Sequence, residues 1–190
     1  MLIVLIGKTC SGKTTIAKEF EKEGFRKVVT CTTRPKRISE KDGTDYNFLD
    51  QAVFDEMKRD GKFAETAEYV MANGQKVSYG SLKKDFEGEE TKILVLTPSG
   101  LKTIRESGLP VFAVYVRADN ETIKKRLKMR GDDPEEAIRR LTSDDEVFKD
   151  AEKLSDFVVN GKETPEYNAK CILKAFNIIN KFQKNIASLY

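Results

Sequence analysis

An eight-residue segment near the start of the chain constrains the fold more than any other part of the sequence. Gly7–Thr14 reads Gly-Lys-Thr-Cys-Ser-Gly-Lys-Thr, follows the apolar run Leu2–Ile6 and precedes a helix-like stretch from Thr15 to Glu23. A strand, a glycine-rich turn and a helix in this order direct several backbone N–H groups and the positive end of the helix dipole toward one point, which suits a polyphosphate. We therefore predict a P-loop NTPase-like α/β fold.

The residue types within this segment match the chemistry of a nucleoside triphosphate such as ATP. Lys13 is placed to reach the β- and γ-phosphates, and the hydroxyl of Thr14 is the expected Mg²⁺ ligand. The predicted ATP-binding residues of the segment are Gly7, Thr9, Cys10, Ser11, Gly12, Lys13, Thr14 and Thr15. An ordinary glycine-rich turn is the alternative, which the complete pattern between a strand and a helix disfavours.

Composition excludes several classes of protein. The 190 residues fit one domain, and no apolar stretch approaches the roughly 20 residues that span a bilayer. Because the chain has no histidine, any chemistry must use charge, backbone donors and metal rather than a histidine base. A net charge of +3 does not favour nucleic acid as a partner, and three cysteines without metal-ligand spacing predict reduced thiols. We expect a cytoplasmic protein that binds neither nucleic acid nor membrane.

Strand-like and helix-like segments alternate along most of the chain. The predicted strands are Leu2–Ile6, Val28–Cys31, Ile93–Thr97, Val111–Val116 and Phe157–Asn160. The predicted helices are Lys13–Glu23, Leu101–Glu106, Asn120–Met129, Pro134–Lys149 and Pro165–Phe182. This alternation predicts a parallel sheet flanked by helices on both faces. Residues 34–82 break the rhythm, because they contain glycines and scattered aromatic residues but no long apolar run, and they are interpreted as a small insertion.

A cluster of basic residues lies at the start of this insertion. Residues 32–37 read Thr-Thr-Arg-Pro-Lys-Arg and are followed by Glu40 and by Gly-x-Asp-Tyr-x-Phe at 43–48. Three positive charges within four residues, stiffened by a proline and joined by the hydroxyl of Tyr46, suit a small dianionic phosphate. A solvated basic loop is the alternative, which the neighbouring phosphate-binding pattern disfavours.

These motifs and their order resemble those of the guanylate kinases. The basic segment resembles the monophosphate-binding signature of that family, residues 63–65 resemble the segment whose glutamate binds the guanine edge, and residues 79–81 resemble its Tyr-Gly-Ser turn. The resemblance implies a GMP site formed by Thr30, Arg34, Arg37, Glu40, Tyr46, Glu65, Tyr79, Gly80 and Ser81. It also implies a kinase of ATP and GMP or dGMP that uses Mg²⁺. We expect a monomer or homodimer.

The chemistry of guanine is compatible with the implied roles of Glu65 and Thr30. Guanine presents N1–H and N2–H₂ as adjacent donors, which one carboxylate accepts together, and O6 as an acceptor for a threonine hydroxyl. Adenine presents the opposite pattern at position 6, so these two side chains would favour guanine. A solvated loop glutamate is the alternative for Glu65.

Two basic segments, residues 123–131 and 135–141, resemble the arginine-bearing lid of the same family. Arg126 and Arg130 share a helix face, and Arg140 can approach from the next helix when the lid closes. Arginines and Mg²⁺ stabilise the charge that spreads during phosphoryl transfer. The predicted catalytic residues are Lys13, Arg37, Arg126, Arg130 and Arg140. Asn160 resembles the family's asparagine near the adenine of ATP, with an ordinary turn residue as the alternative.

The chain is divided accordingly into one domain with three parts: a core (residues 1–33, 83–125 and 150–190), a monophosphate-binding insertion (34–82) and a lid (126–149). It departs from the family pattern at Val95 and Thr97, where guanylate kinases usually carry aspartates near the metal and the acceptor. Residues 66–78 also form a longer stretch than is usual. Two alternatives follow: a kinase of another phosphorylated acceptor, such as ribose 1,5-bisphosphate or a modified nucleotide, and a non-catalytic guanylate kinase-like binding module.

Overall fold

Strand β1 lies at the centre of a parallel sheet in the computed structural model, which describes residues 1–71 and 73–187. In chain order the elements are β1 (Leu2–Ile6), α1 (Lys13–Lys22), β2 (Arg26–Lys27), β3 (Cys31–Thr32), β4 (Asn47–Phe48), α2 (Gln51–Arg59), β5 (Phe63–Val70), β6 (Lys76–Leu82), β7 (Lys92–Val95), α3 (Pro98–Glu106), β8 (Val111–Arg117), α4 (Asn120–Arg130), α5 (Pro134–Val147), β9 (Phe157–Asn160) and α6 (Pro165–Ala187). A short 3-10 helix, Lys83–Phe86, joins β6 to β7. Residue 72 of the expected insertion and residues 188–190 of the expected core lie outside the described residues.

The main sheet has the strand order β2-β7-β1-β8-β9, and all of its strands are parallel. Side chains of β1 alternate between two hydrophobic cores: Ile3 and Leu5 face α1 and α6, whereas Val4 packs with α3 on the other side. Each of these three residues is fully buried, and burial of one such side chain contributes roughly 1.5–3 kcal/mol. The predicted sheet with helices on both faces is confirmed.

A second sheet, with the strand order β4-β3-β6-β5, contains the long antiparallel hairpin of β5 and β6. Its small core includes Phe54 of α2 stacked on Phe63 of β5, with ring centroids 4.4 Å apart. The predicted strand Val28–Cys31 is wrong, because residues 28–30 cross between the two sheets and the strand pairing is divided between β2 and β3. This crossing carries Thr30 past the carboxyl end of the main sheet.

Helices α4 and α5 pack against each other and are joined by a short turn over residues 131–133. Gly131 ends α4 with a φ of 78°, which glycine adopts without strain, and Asp133 caps α5 by accepting a hydrogen bond from the N–H of Glu136 at 2.9 Å. Pro134 is the first residue of α5, as predicted. Among the described residues, no helix combines the length and apolar character needed to cross a membrane.

Candidate active site

The segment Gly7–Thr14, called the phosphate loop below, connects β1 to α1 at the carboxyl edge of the main sheet. A β-carbon on Gly7 would lie 2.6 Å from the carbonyl oxygen of Val116 in β8, so only glycine fits there. Gly12 has a φ of 111°, a conformation that glycine adopts far more readily than other residues. Because the first turn of α1 holds no acidic residue, its positive end is free to attract an anion.

Lys13 lies at the centre of the site. Its Nζ donates hydrogen bonds of 2.7 Å to the carbonyl oxygens of Gly7 and Lys8. Burial lowers the pKa of Lys13 to about 8, and the nearby carboxylate of Asp144 opposes this decrease. A phosphate group would add further negative charge beside the ammonium and so favour its protonated form.

Two cavities meet at Lys13. The loop cavity, of about 390 Å³, is lined by Cys10, Ser11, Gly12, Lys13, Thr14, Thr15, Ile16, Arg126, Arg130, Gly161, Glu163, Pro165 and Asn168. The sheet cavity, of about 200 Å³, is lined by Gly7, Thr9, Lys13, Thr30, Tyr46, Glu65, Ala67, Tyr69, Met71, Val77, Tyr79, Gly80, Val95, Leu96, Thr97, Arg139, Arg140, Ser143, Asp144 and Phe148. The first is built on the phosphate loop, and the second lies between that loop, the second sheet and the lid.

The basic segment of the insertion is organised by one carboxylate. Glu40 accepts two hydrogen bonds from the guanidinium of Arg34, at 2.7 and 2.5 Å, and one from the backbone N–H of Arg37 at 2.9 Å. Burial alone would raise the pKa of Glu40, but these bonds outweigh it and lower the pKa to about 2. Arg34 also lies over the ring of Tyr46, at 5.0 Å from its centroid. Both arginines are therefore held in fixed positions beside the wall of the sheet cavity.

Arginines from the insertion and the lid converge on the same region. Burial lowers the pKa of Arg37, and the positive charges of Arg34, Arg130 and Arg140 lower it further. These four guanidinium groups repel one another. An anion bound among them would reduce this repulsion, so the region attracts anions.

Glu65 is buried in the wall of the sheet cavity, with only 5% of its surface exposed. Its Oε1 accepts a hydrogen bond of 2.7 Å from the hydroxyl of Ser81, the residue opposite it in the β5–β6 register. Burial raises the pKa of Glu65, and the bonds from Ser81 oppose this increase. Thr30 lines the same cavity, so the structure brings together the two side chains expected to bind guanine.

Small residues make room for this carboxylate. A β-carbon on Gly100, in the first turn of α3, would lie 2.8 Å from Oε2 of Glu65. A β-carbon on Gly80 would lie 2.8 Å from the ring of Phe63, two residues before Glu65 on β5. The glycines of two different elements thus define the position of the strand that carries Glu65.

Thr97 has a local structural role at the amino end of α3. It caps α3, because its Oγ1 accepts a hydrogen bond of 3.0 Å from the N–H of Gly100. Thr97 and Val95 both line the sheet cavity, and neither carries a charge.

The three lid arginines predicted to be catalytic lie at different positions around the cavities. Arg126 donates hydrogen bonds to the carbonyl oxygens of Cys10, Ser11 and Gly161, at 3.1, 3.2 and 2.6 Å, and so connects the phosphate loop to the end of β9. Arg130 also lines the loop cavity and forms a bidentate pair with Asp132, with both bonds at 2.6 Å.

Arg140 lines the sheet cavity instead. Its Nε donates to Glu136 at 2.6 Å, and Asp132 lies 3.7 Å from its Nη1. The lid arginines are therefore distributed over both cavities rather than gathered on one.

The structure places Asn160 at the exposed end of β9, where its Oδ1 accepts a hydrogen bond of 3.1 Å from the N–H of Lys162. Asn168 of α6 lines the loop cavity and is 2% exposed. Its side-chain amide donates to the carbonyl oxygen of Asn160 at 2.9 Å. Asn168 was not identified from the sequence, because an asparagine in an amphipathic helix gives no sign that it faces a cavity.

Two further residues of the sheet cavity, Asp144 and Tyr69, were also not identified from the sequence. Asp144 of α5 accepts a hydrogen bond of 2.5 Å from the N–H of Thr9 in the phosphate loop. Tyr69 of β5 packs edge-on against Tyr79, with ring centroids 5.6 Å apart. Burial raises the pKa of the Tyr69 hydroxyl, and the charge of Asp144 raises it further. Only the pairing of the β5–β6 hairpin, which the sequence did not predict, brings Tyr69 to this position.

Comparisons with known proteins agree with this arrangement. A family model described as guanylate kinase matches residues 1–170. The guanylate kinase of Lactococcus lactis is 34% identical over 180 residues, which cover 92% of this chain and 87% of the relative. The guanylate kinase of Symbiobacterium thermophilum is 32% identical over 164 residues, which cover 84% and 77%. The crystal structure of guanylate kinase from Anaplasma phagocytophilum has a similar fold, with a TM-score of 0.67 at 24% identity over 96% of this chain and 86% of that one.

Proposed function

The chain belongs to the guanylate kinase family, and we propose that it transfers the γ-phosphoryl group of ATP to GMP or dGMP, giving ADP and GDP or dGDP. The observation that carries this proposal is the position of Lys13, which lines both the loop cavity and the sheet cavity. A lysine that lines both cavities can contact the phosphoryl group before and after its transfer from the donor to the acceptor.

ATP is assigned to the loop cavity. Backbone N–H groups of the phosphate loop and the positive end of α1 would hold its phosphates, together with Lys13 and the arginines Arg126 and Arg130. Asn160 is proposed to contact the adenine either directly or through Asn168. The side-chain amide of Asn168 donates a hydrogen bond to the carbonyl oxygen of Asn160.

GMP is assigned to the sheet cavity. Arg34, Arg37, Tyr46 and Tyr79 would bind its phosphate, and Glu40 would orient the two arginines. The proposed guanine contacts are Glu65 and Thr30. This assignment is supported by the burial of Glu65 in the wall of the sheet cavity, because a buried carboxylate favours a ligand with paired donors.

The reaction is proposed to proceed by direct attack of a GMP phosphate oxygen on the γ-phosphorus of ATP. Closure of the lid would bring Arg140 toward the moving group and exclude water, which prevents hydrolysis of ATP. The sequence contains no histidine, and the proposed mechanism requires no general base because the attacking phosphate oxygen is already ionised.

Mg²⁺ is the metal that such a reaction uses. The exposed hydroxyl of Thr14 lines the loop cavity and is a hard oxygen ligand of the kind that Mg²⁺ prefers. Among the described residues, no group of three or more His, Cys, Asp or Glu side chains could hold a metal. Thr14 would therefore share the ion with ATP phosphates and water, and the ion would neutralise charge on the transferred group.

The proposal is tested by measuring ADP release with ATP·Mg and a panel of GMP, dGMP, AMP, CMP, UMP and ribose 1,5-bisphosphate. We expect turnover with GMP or dGMP and a decrease of ~100-fold or more for Lys13→Ala, because one preorganised charge at the transferred group is lost. Lys18→Ala, an exposed position of the same helix, is the matched control and should retain activity. Turnover only with ribose 1,5-bisphosphate would assign another acceptor, and no turnover with any acceptor would indicate a binding module.

A further inference from the structure

Asp144 is a buried carboxylate directed at the phosphate loop. It lies in α5 of the lid, is 9% exposed and lines the sheet cavity. Its Oδ2 accepts a hydrogen bond of 2.5 Å from the backbone N–H of Thr9. In a phosphate loop, backbone N–H groups are the donors that bind phosphate oxygens. The Asp144 carboxylate therefore forms the kind of contact that a phosphate would form.

The charges around Asp144 are also those of an anion site. Burial raises the pKa of Asp144, and the charges of Lys13, Lys8 and Arg140 oppose this increase. The charge of Asp144 in turn opposes the decrease in the pKa of Lys13. No other acidic side chain accepts a hydrogen bond from the phosphate loop backbone among the bonds found in the described residues. Asp144 thus places one negative charge beside Lys13, which the proposed function assigns to the ATP phosphates.

A second contact holds the same helix against the loop. Lys8 of the phosphate loop pairs with Asp145 and donates a hydrogen bond of 3.0 Å to Oδ1 of Asn120. The side-chain amide of Asn120 donates to both carboxylate oxygens of Asp145, at 3.2 and 3.0 Å. This network lies outside both cavities, whereas Asp144 lies within the sheet cavity. Helix α5 is therefore held to the phosphate loop by one polar contact that a ligand can replace and by one that it need not disturb.

We propose that Asp144 is a positioning residue that occupies part of the phosphate site and is displaced by the terminal phosphates of ATP. Two anions cannot share the N–H of Thr9 and the charge of Lys13 without strong repulsion, so binding of a triphosphate releases the carboxylate. Displacement frees α5 from one of its two contacts with the loop, which couples donor binding to the position of the lid. By reciprocity, the docked lid weakens ATP binding by the same factor. This inference rests on the proposed function, since it takes ATP as the ligand of the loop.

The test compares Asp144→Asn with the wild-type protein by calorimetric titration of ATP and of inorganic tripolyphosphate, without any acceptor. Asparagine retains an oxygen that accepts from Thr9 but removes the charge. We expect both ligands to bind at least ~5-fold more tightly to this variant, in the range of measured coupling between sites. Glu146→Gln is the matched control, because it removes the same charge from the solvent-exposed side of α5, and its affinities should equal those of the wild type. Unchanged or weaker binding by Asp144→Asn would overturn the proposal.

A measurement on the wild-type protein keeps the proposal testable if Asp144→Asn does not fold. Hydrogen exchange is followed with and without tripolyphosphate; exchange should become faster over residues 141–149 as α5 is released, and slower over residues 7–16 as the loop binds the ligand. Slower or unchanged exchange over residues 141–149 would contradict displacement. Both measurements record binding without turnover. Failure of GMP phosphorylation would therefore leave them interpretable, and failure of displacement would leave the proposed phosphoryl transfer intact.

Discussion

The carboxylate of Glu65 connects the burial of one side chain to the choice of acceptor base. We expect Glu65→Gln to lower kcat/KM for GMP by ~10- to 100-fold, because hydrogen bonds to a charged group contribute ~1.5–3 kcal/mol. The loss should be mainly in KM, and the preference for GMP over AMP should narrow. Steady-state kinetics with both acceptors measures this change.

Glu68 provides the matched control, since it lies three residues further along β5 with an exposed side chain that pairs with Lys58. Glu68→Gln should leave both kinetic constants for GMP unchanged. An unchanged GMP to AMP ratio in Glu65→Gln would show that guanine is recognised elsewhere in the sheet cavity.

The same residue predicts a dependence on pH. Burial raises the pKa of Glu65, and only the ionised carboxylate can accept from both N1–H and N2–H₂ of guanine. As pH falls, Glu65 therefore gains its proton at a higher pH than an exposed glutamate would, and KM for GMP should rise. In Glu65→Gln, KM should lose this component of its pH dependence. If KM for GMP rises with falling pH in the same way in the wild type and in the variant, Glu65 does not contribute to this rise.

At this scale the sequence identifies residues in motifs as site candidates more readily than solitary residues. The phosphate loop and Glu65 have spacings that specify a function, and the structure places them around the two cavities. Asp144 and Asn168 have no such spacing, because a polar residue on an amphipathic helix has the same pattern whether it faces water or a cavity. Only the packing of α5 and α6 distinguishes these positions.

Among the elements, helix α3 fixes the position of Glu65 through its first turn. A β-carbon on Gly100 would lie 2.8 Å from Oε2 of Glu65 and 3.3 Å from Oγ1 of Thr97. Gly100→Ala should move the carboxylate and raise KM for GMP roughly tenfold or more, since a displacement of about 1 Å can reduce activity by ~100-fold. Alanine also stabilises a helix by ~1 kcal/mol relative to glycine. Because this gain offsets the cost of the tight contact, the free energy of unfolding should change little.

Parallel measurements of KM and of denaturant unfolding separate these two effects. Lys102→Ala, at an exposed position of the same helix, is the control and should change neither quantity appreciably. A Gly100→Ala variant with normal KM would mean that Glu65 can adjust without loss of GMP binding. A large loss of stability would instead mean that the α3 turn, rather than the carboxylate, absorbs the added methyl group.

The main sheet and its helices were predictable because they follow simple periodic patterns. The second sheet was not, since β3 and β4 have two residues each and β5 carries Glu65 and Glu68 among its apolar residues. One face of the β5–β6 hairpin lines a cavity instead of a core, so the alternation of apolar and polar residues that identifies a strand is weak. The segment from Val28 to Thr30 has the composition of a strand but crosses between sheets.

At the scale of the whole molecule, the two cavities share Lys13 in their linings. Because they adjoin the same residue, we predict that a single ligand can occupy both. Adenosine and guanosine joined by five phosphates would supply the three phosphates of ATP, the one of GMP, and one to span the path between them. Such a ligand joins two binding events into one, so it should bind at least ~100-fold more tightly than either ATP or GMP.

Inhibition kinetics tests this prediction, because a ligand that fills both cavities competes with ATP and with GMP. The same compound with adenosine at both ends is the control; it should bind more weakly, since adenine lacks the paired donors that Glu65 would accept. Competition with ATP alone would mean that the cavities do not accept one ligand together. Displacement of Asp144 predicts one further result. Asp144→Asn should increase the affinity for the five-phosphate compound and for ATP by a similar factor, because both would place a phosphate group beside Thr9 and Lys13.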